Sequence, residues 1–420
     1  MDYKTEWIKI IKFVKRKIKK EMHVLNIGIF GKTNTGKSSL VNALTGQQIA
    51  IVSDQAGTTT DPVGKRMEIP QVGPCRLVDT AGLDDGTQLG AERARRTRSW
   101  ISRVDLALIL FNANSFTKLE MDLVEEFRRL RVPFLLVHTQ SDIVPLDEAL
   151  AQELSERYGV DVLEFSVALL DEQAQKEAIE LLLAFIVKAL SSSPLREKRI
   201  FDGLVKAGQT VVLVCPIDVS APTGRLILPQ VMAIRDVLDR QATAVVLQVE
   251  QLPEYLSSHP LPDLVVTDSQ VFAAVSAIVP EPVPLTSFSV LLARSKGPFE
   301  DYLNGVEAIR SLQDGDRVLI LESCTHHASC EDIGRVKLPR LFKKYTGKAL
   351  EFEIISGMDP LPENLSDYAL VVQCGGCMIN RRELLSRVNP AIEAGIPVCN
   401  YGMAMAYMNQ IFHRSVAPFR

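Results

Sequence analysis

Long apolar runs are missing from this 420-residue chain. No stretch reaches the 18 consecutive apolar residues that mark a bilayer-spanning helix, so no stable membrane association is expected. The lysine-rich start lacks an apolar core followed by small residues, and no secretory leader is expected either. A large excess of charge is also missing. Lys and Arg number 47 against 51 Asp and Glu, a formal net charge of −4, which gives no general reason to expect a nucleic-acid partner. Aromatic residues are only 6% of the chain, and no basic, aromatic-interleaved RNA-binding module stands out. Cysteines are few and odd in number, seven in all. In a long chain without export signals they point to a reducing cytoplasm, where clustered cysteines serve metals rather than disulfides. What remains, 46% hydrophobic and 23% charged residues, is ordinary for a globular protein. The length suggests about three domains.

The first motif is Gly31-Lys32-Thr33-Asn34-Thr35-Gly36-Lys37-Ser38. It fits G-x-x-x-x-G-K-[ST], the phosphate loop of P-loop nucleotidases. An apolar run at 24–30 precedes it, and residues 39–44, beginning with Ser39, read as a helix opening. Strand, glycine loop and helix are the context the motif requires. The glycines let successive N–H groups wrap a polyphosphate, and the helix N-terminus adds its positive dipole end. Lys37 is expected to reach the β- and γ-phosphates and Ser38 to bind Mg²⁺.

A polar stretch, Ser53-Asp54-Gln55-Ala56-Gly57-Thr58-Thr59-Thr60-Asp61, follows at the length of a switch segment. A threonine there can complete the Mg²⁺ shell, with Thr59 the first choice and Thr58 the second. Residues 67–69 and 75–78 flank a Pro/Gly turn and read as a β-hairpin. Its second strand runs into Asp79-Thr80-Ala81-Gly82, where Asp79 suits Mg²⁺ and Gly82 can offer its N–H to a γ-phosphate. Residues 106–111 and 134–138 are further buried strands.

After the second of these comes Thr139-Gln140-Ser141-Asp142. Guanine-specific GTPases carry Asn-Lys-x-Asp at this place. Asp142 can accept both guanine N–H groups, for which adenine has no counterpart. Thr139 and Gln140 depart from the pattern. Ser166 begins the stretch that in such proteins closes over the base. The first domain resembles a Ras-like GTPase of the branch that includes Era and the tRNA-modifying TrmE. By that resemblance it binds GTP through Gly31, Asn34, Thr35, Gly36, Lys37, Ser38, Ser39, Thr58, Thr59, Asp79, Gly82, Thr139, Asp142 and Ser166. Leu83 stands where Ras-type enzymes place a water-orienting glutamine, so slow hydrolysis is expected. Potassium-activated relatives use a P-loop asparagine to hold K⁺, which assigns that role to Asn34; the other reading of Asn34 is a residue tolerant of tight turns.

Residues 4–20 carry eight Lys and Arg with Trp7, Ile11, Val14 and Ile18 on one helical stripe. They suit an anionic surface or an acidic partner. The plainer reading, adopted here, is a helix packed on its own domain or a loosely held tail. Residues 191–194 read as a linker. Beyond it, runs at 210–215 and 244–247 and a helical pattern at 229–242 make a small unit with a thin core, for which dimerisation would bury the remaining apolar face. Cys75 and Cys215 read as core residues.

From 263 onward, apolar runs at 264–266, 318–321, 369–372 and 397–399 alternate with helical stretches, the pattern of a parallel sheet flanked by helices. Ligands of such sheets sit beyond the carboxyl ends of the strands. There the chain places Cys324-Thr325-His326-His327 and Cys374-Gly375-Gly376-Cys377. Three thiolates, alone or with a nitrogen, suit zinc or an iron–sulfur cluster. His327 and Cys330 could substitute as ligands, though the preferred reading of both is surface positions on the same loop, and Cys399 is read as a buried thiol.

A GTPase followed by Cys-x-His and a distant Cys-x-x-Cys resembles the FeFe-hydrogenase maturation GTPases, the HydF family. The family pattern has histidine before the Cys-x-x-Cys, where this chain has Gln373. The resemblance implies an α/β protein with a basic segment (1–21), a P-loop GTPase domain (22–190), a small α/β dimerisation domain (196–262) and a C-terminal α/β parallel-sheet metal-cluster domain (263–420). It implies a 4Fe-4S cluster on Cys324, Cys374 and Cys377, with His326 as a fourth candidate. It further implies a homodimer or higher oligomer that carries a di-iron precursor, working with FeFe-hydrogenase and the radical-SAM maturation enzymes. The alternative is a ribosome- or tRNA-associated GTPase with a structural zinc.

Overall fold

The computed structural model describes residues 24–46, 64–69, 72–80, 100–166, 172–191, 199–217, 224, 226–323, 332–357, 359–377 and 379–420. The basic segment expected over 1–21 lies outside them. The chain divides into two compact units, Met1–Arg196 and Glu197–Arg420.

The first unit is one six-stranded sheet. Its strands are β1 (Leu25–Gly31), β2 (Gly64–Ile69), β3 (Gly73–Asp79), β4 (Leu106–Asn112), β5 (Phe134–Thr139) and β6 (Val162–Phe165), in the order β2-β3-β1-β4-β5-β6. Only the β2–β3 hairpin is antiparallel, as its Pro/Gly turn predicts. Every residue of β1 and β5 is buried, which is why both read as predominantly apolar runs. Alternate residues feed two cores. Leu25, Ile27 and Ile29 pack with Leu40, Leu44 and Ile186. Phe30 packs with Phe111, Phe127 and Trp100. The helix Lys37–Gly46 lies at its expected place, and the helix Glu172–Ser191 closes the unit.

The second unit holds two four-stranded sheets. The first contains β7 (Thr210–Val214), β8 (Thr243–Leu247), β9 (Leu264–Thr267) and β10 (Leu285–Ser287) in the order β10-β9-β7-β8, all parallel. The second contains β11 (Arg317–Leu321), β12 (Glu351–Ile355), β13 (Tyr368–Gln373) and β14 (Val398–Asn400) in the order β12-β11-β13-β14, again all parallel.

One assignment changes. The run at 264–266, grouped by its sequence position with the C-terminal sheet, is β9 and pairs with β7 from Val211↔Leu264 onward. The sheet therefore continues past the boundary expected between 262 and 263, where the helix Leu252–Ser258 leads into β9. An apolar run shows that a strand is buried; it does not show which neighbour it joins. The two sheets are stitched into one unit: Thr286 Oγ1 donates to Ser415 O at 2.8 Å, and Arg414 reaches Ser276 Oγ at 2.8 Å and Val279 O at 2.6 Å.

Candidate functional site

The first candidate site forms where β1 turns into the helix Lys37–Gly46. Gly31 has φ +154°, and a Cβ there would lie 2.6 Å from Leu110 O, so only glycine lets the loop leave the strand. Asn34 is left-handed at φ +61°, a conformation asparagine tolerates, and Gly36 follows at φ +80°. Thr35 is buried and its hydroxyl donates to Lys32 O at 2.8 Å. Lys37 is buried, with Nζ donating to Gly31 O at 3.2 Å and to Lys32 O. Its ammonium thus lies along the inner rim of the loop. Ser38 and Ser39 are exposed in the first helical turn.

Ser38 Oγ donates to Asp79 Oδ2 at 2.7 Å. The hydroxyl and carboxylate assigned to Mg²⁺ from sequence therefore meet at one point, and a hard oxygen pair of this kind suits that ion. Thr58, Thr59 and Gly82 lie outside the described residues.

The base-recognition stretch is docked on the phosphate loop. Thr139 is buried, its Oγ1 lying 2.8 Å from Thr35 O and 3.2 Å from Phe111 O. Gln140, at φ +56°, donates from Nε2 to Asn34 O at 3.1 Å and accepts at Oε1 from Asn112 at 2.6 Å. The Ser166 hydroxyl donates to Asp142 Oδ1. The departures from Asn-Lys-x-Asp thus have structural work. Thr139 and Gln140 brace the phosphate loop, while Asp142 is held in place by Ser166.

Behind the loop, Lys32 Nζ lies 3.7 Å from Glu120 Oε2, and Glu120 also takes the Thr117 backbone N–H at 2.8 Å as a capping box. His138 is fully buried beside Phe111; burial lowers its pKa below 6.5, with Glu164 opposing.

The second candidate site is the carboxyl edge of the C-terminal sheet. Leu321 pairs with Gln373, and Cys374 N donates to Leu321 O at 2.9 Å, so β11 and β13 end side by side. The Ser323 backbone N–H donates to Cys374 Sγ at 3.1 Å, and the Cys374 thiol lies 3.1 Å from Ser323 Oγ. Gln373 is fully buried; its Nε2 donates to Ser323 Oγ at 2.8 Å and lies 3.4 Å from Cys374 Sγ. Gly376 has φ +61°, which lets the Cys374–Cys377 loop fold back. Lys296, fully buried at the end of the helix Phe288–Lys296, donates to Gly376 O at 2.9 Å and Ile379 O at 2.8 Å. Nothing in the sequence pattern distinguishes this lysine from a solvated one.

Cys374 and Cys377 are half-buried and unbridged. Cys324, His326, His327 and Cys330 lie outside the described residues. Among the described residues no group of three His, Cys, Asp or Glu side chains converges as a metal site. Cys75, Cys215 and Cys399 are buried core thiols. Burial and then Asp268 push Cys215 up to about 12, and burial pushes Cys399 up as well, which keeps both protonated and poor metal ligands.

Residues 26–140 match the 50S ribosome-binding GTPase family. Residues 200–297 match the hydrogen maturase F dimerization domain, and residues 300–418 its tetramerization domain. Together the last two take in more than half of the chain. The chain belongs to the hydrogen maturase F family. Its GTPase domain is of the TrmE/Era type, and its two hydrogen maturase F domains are domains of homo-oligomerisation.

Among curated proteins, the GTPase part is 35% identical over 152 residues to the tRNA modification GTPase MnmE of Cytophaga hutchinsonii, 33% of each chain. It is 39% identical over 158 residues to that of Acidiphilium cryptum, 37% of this chain and 34% of the other. The chain spans about one third of the length of these relatives. Among solved structures, Era in complex with MgGDPNP and 16S ribosomal RNA is 24% identical, covering 40% of this chain and 57% of that one at a TM-score of 0.32. An Aquifex aeolicus Era variant bound to GDP and AlF4⁻ is 20% identical, covering 54% and 93% at a TM-score of 0.32. Among the described residues no helix is long and apolar enough to cross a membrane.

Proposed function

We propose that this hydrogen maturase F family member is a GTP-hydrolysing scaffold that binds a 4Fe-4S cluster and assembles or delivers the di-iron precursor of the FeFe-hydrogenase active site. The observation that carries the reading is the 3.1 Å hydrogen bond from Ser323 N–H to Cys374 Sγ. It brings Ser323, the residue before Cys324 in the sequence, against the first cysteine of the Cys-x-x-Cys. Half-buried thiols on a loop of small residues fit a soft metal cluster. Cys324, Cys374 and Cys377 would hold it, with His326 the candidate for a fourth position. When bound, the cluster supplies thiolate-ligated iron with one position open to exchange.

The chain's own part in hydrolysis follows from the first site. The loop 31–38 cradles the polyphosphate, Lys37 neutralises its β- and γ-oxygens, and Ser38 with Asp79 holds Mg²⁺. Thr59, or Thr58, completes the metal shell, and Gly82 binds the γ-phosphate. Asp142, steadied by Ser166, selects guanine. Asn34 holds K⁺ in the place of an arginine finger, a group that is worth roughly 10³–10⁵ in rate. The partners on this reading are FeFe-hydrogenase and the radical-SAM maturation enzymes.

The test is anaerobic reconstitution with iron and sulfide. The protein should turn brown, hold about four irons and show thiolate-to-iron absorption. Cys374→Ala should lose the cluster and keep GTP turnover; Lys37→Ala should do the reverse. A colourless protein with one tightly held zinc overturns the reading in favour of a ribosome- or tRNA-associated GTPase.

A further inference from the structure

Gln373 stands where the family pattern has histidine, and its side chain raises a question the ligand set leaves open. The carboxamide is fully buried at the end of β13. Its Nε2 makes three contacts: Ser323 Oγ at 2.8 Å, Cys374 O at 3.2 Å and Cys374 Sγ at 3.4 Å. Its Oε1 is buried with no hydrogen-bond partner among the described residues. The amide is thus oriented by what its N–H groups meet, and its nitrogen end faces the sulfur.

We propose that Gln373 is a positioning residue that donates hydrogen bonds to the Cys374 sulfur and to the Ser323 hydroxyl, and so sets the reduction potential of the cluster, rather than serving as its fourth ligand. The proposal rests on the cluster reading above.

The physical argument concerns charge on sulfur. As a free thiol, Cys374 lies 3.1 Å from Ser323 Oγ as donor. As an iron ligand it is a thiolate with no proton to give. The Ser323 hydroxyl then turns to donate, since its oxygen already accepts from Gln373 Nε2 at 2.8 Å. The sulfur thereby gains three donors: Ser323 N–H at 3.1 Å, Ser323 O–H and Gln373 N–H. Donors around a ligating sulfur draw off negative charge. That favours the reduced, more negative form of the cluster and raises its potential. An amide oxygen without a donor is the cost of this orientation.

The test compares wild-type protein with Gln373→Met, which keeps the buried volume without donors, and Gln373→Glu, which keeps the shape and replaces the donor by an acceptor. Each is reconstituted anaerobically and its iron content, electron-spin spectrum and midpoint potential are measured. Circular dichroism and the denaturation midpoint of the second unit check that each variant is folded, and GTP turnover, which belongs to the other unit, should be unchanged. Both variants should keep about four irons and an unchanged spectral type. Both should have a more negative potential, by about a tenfold change in the reduced-to-oxidised ratio, or about 59 mV for a one-electron couple. Gln373→Glu should shift further.

Loss of iron, or a changed cluster type, in Gln373→Met overturns the proposal and makes the amide a ligand. Full iron with an unshifted potential overturns it too. If wild-type protein takes up no iron, the cluster reading itself has failed, and the proposal with it. These results are distinguishable because the last appears before any substitution is made.

Discussion

The Ser38 hydroxyl donates a 2.7 Å hydrogen bond to the Asp79 carboxylate across 41 positions of the chain. Each residue belongs to its own motif, and on the proposed function their meeting makes the corner that holds Mg²⁺. Replacing either by a group that cannot ligate, Ser38→Ala or Asp79→Ala, should raise the Mg²⁺ concentration for half-maximal GTP turnover at least about tenfold, since even outer-shell changes cost about 10- to 100-fold in metal affinity. A Mg²⁺ titration of phosphate release reads this directly. An unchanged Mg²⁺ requirement would show that the pair does not hold the ion.

Asp142 is steadied by Ser166, and on the proposed function it is the acceptor for the guanine N–H groups. Inosine nucleotides lack the exocyclic amine, so the preference for GTP over ITP reports this contact alone. In Asp142→Ala that preference should vanish, a loss of roughly 1.5–3 kcal/mol for hydrogen bonds to a charged group. Competition against a fluorescent guanine nucleotide measures it. A persistent preference would place base recognition elsewhere.

Thr139 braces the phosphate loop through Thr35 O. Thr139→Val keeps the shape and removes the hydroxyl. It should lower the denaturation free energy of the GTPase unit by about 1–3 kcal/mol, the usual cost of stranding buried acceptors. Chemical denaturation with an unchanged slope is the check.

Lys296 donates to Gly376 O and Ile379 O from a fully buried position. Lys296→Met strands both carbonyls, and the second unit should lose about 3 kcal/mol. The Cys374–Cys377 loop should open at the same time, seen as faster alkylation of Cys377 in metal-free protein. Equal alkylation rates would mean that the loop is held without the lysine.

His138 has its pKa lowered by burial, with Glu164 opposing. The unfolded chain therefore binds a proton that the folded one refuses. The histidine leaves stability intact above its unfolded value of 6.5 and reduces it as the pH falls through 6.5 toward the depressed folded value. Stability measured from about pH 8 down to about pH 5 should decline more steeply in wild type than in His138→Gln. The glutamine keeps an acceptor near the Asn114 N–H that His138 Nε2 takes at 3.4 Å. Parallel profiles would exclude the residue as the source.

Much of the fold is legible in the chain because buried parallel strands are predominantly apolar runs, as in β1, β5, β7 and β13. The strand β12 escaped that reading. It lies at a sheet edge with Glu351 exposed and the rest half-buried, so its Glu-Phe-Glu-Ile-Ile shows no such run. The strand β9 was visible as a strand but not as a partner of β7. Pairing is settled by which surfaces meet when the helices close over the sheet, and no local pattern encodes that.

The chemistry of this protein was set by short spacings. Gly31 to Ser38 has the spacing of a phosphate loop, and Asp79 to Gly82, Asp142 and Cys374 to Cys377 carry the magnesium, guanine and soft-metal roles of the proposed function, because each ligand type demands particular groups a few residues apart. The tertiary structure decided how those groups are held. Gln140 grips Asn34 from 106 positions away, Thr139 grips Thr35 from 104, Lys296 pins Gly376 from 80, and Ser323 meets Cys374 from 51. A hydrogen bond between residues so far apart leaves no trace in either one's neighbours, and exists only once the strands have carried both ends to the same edge.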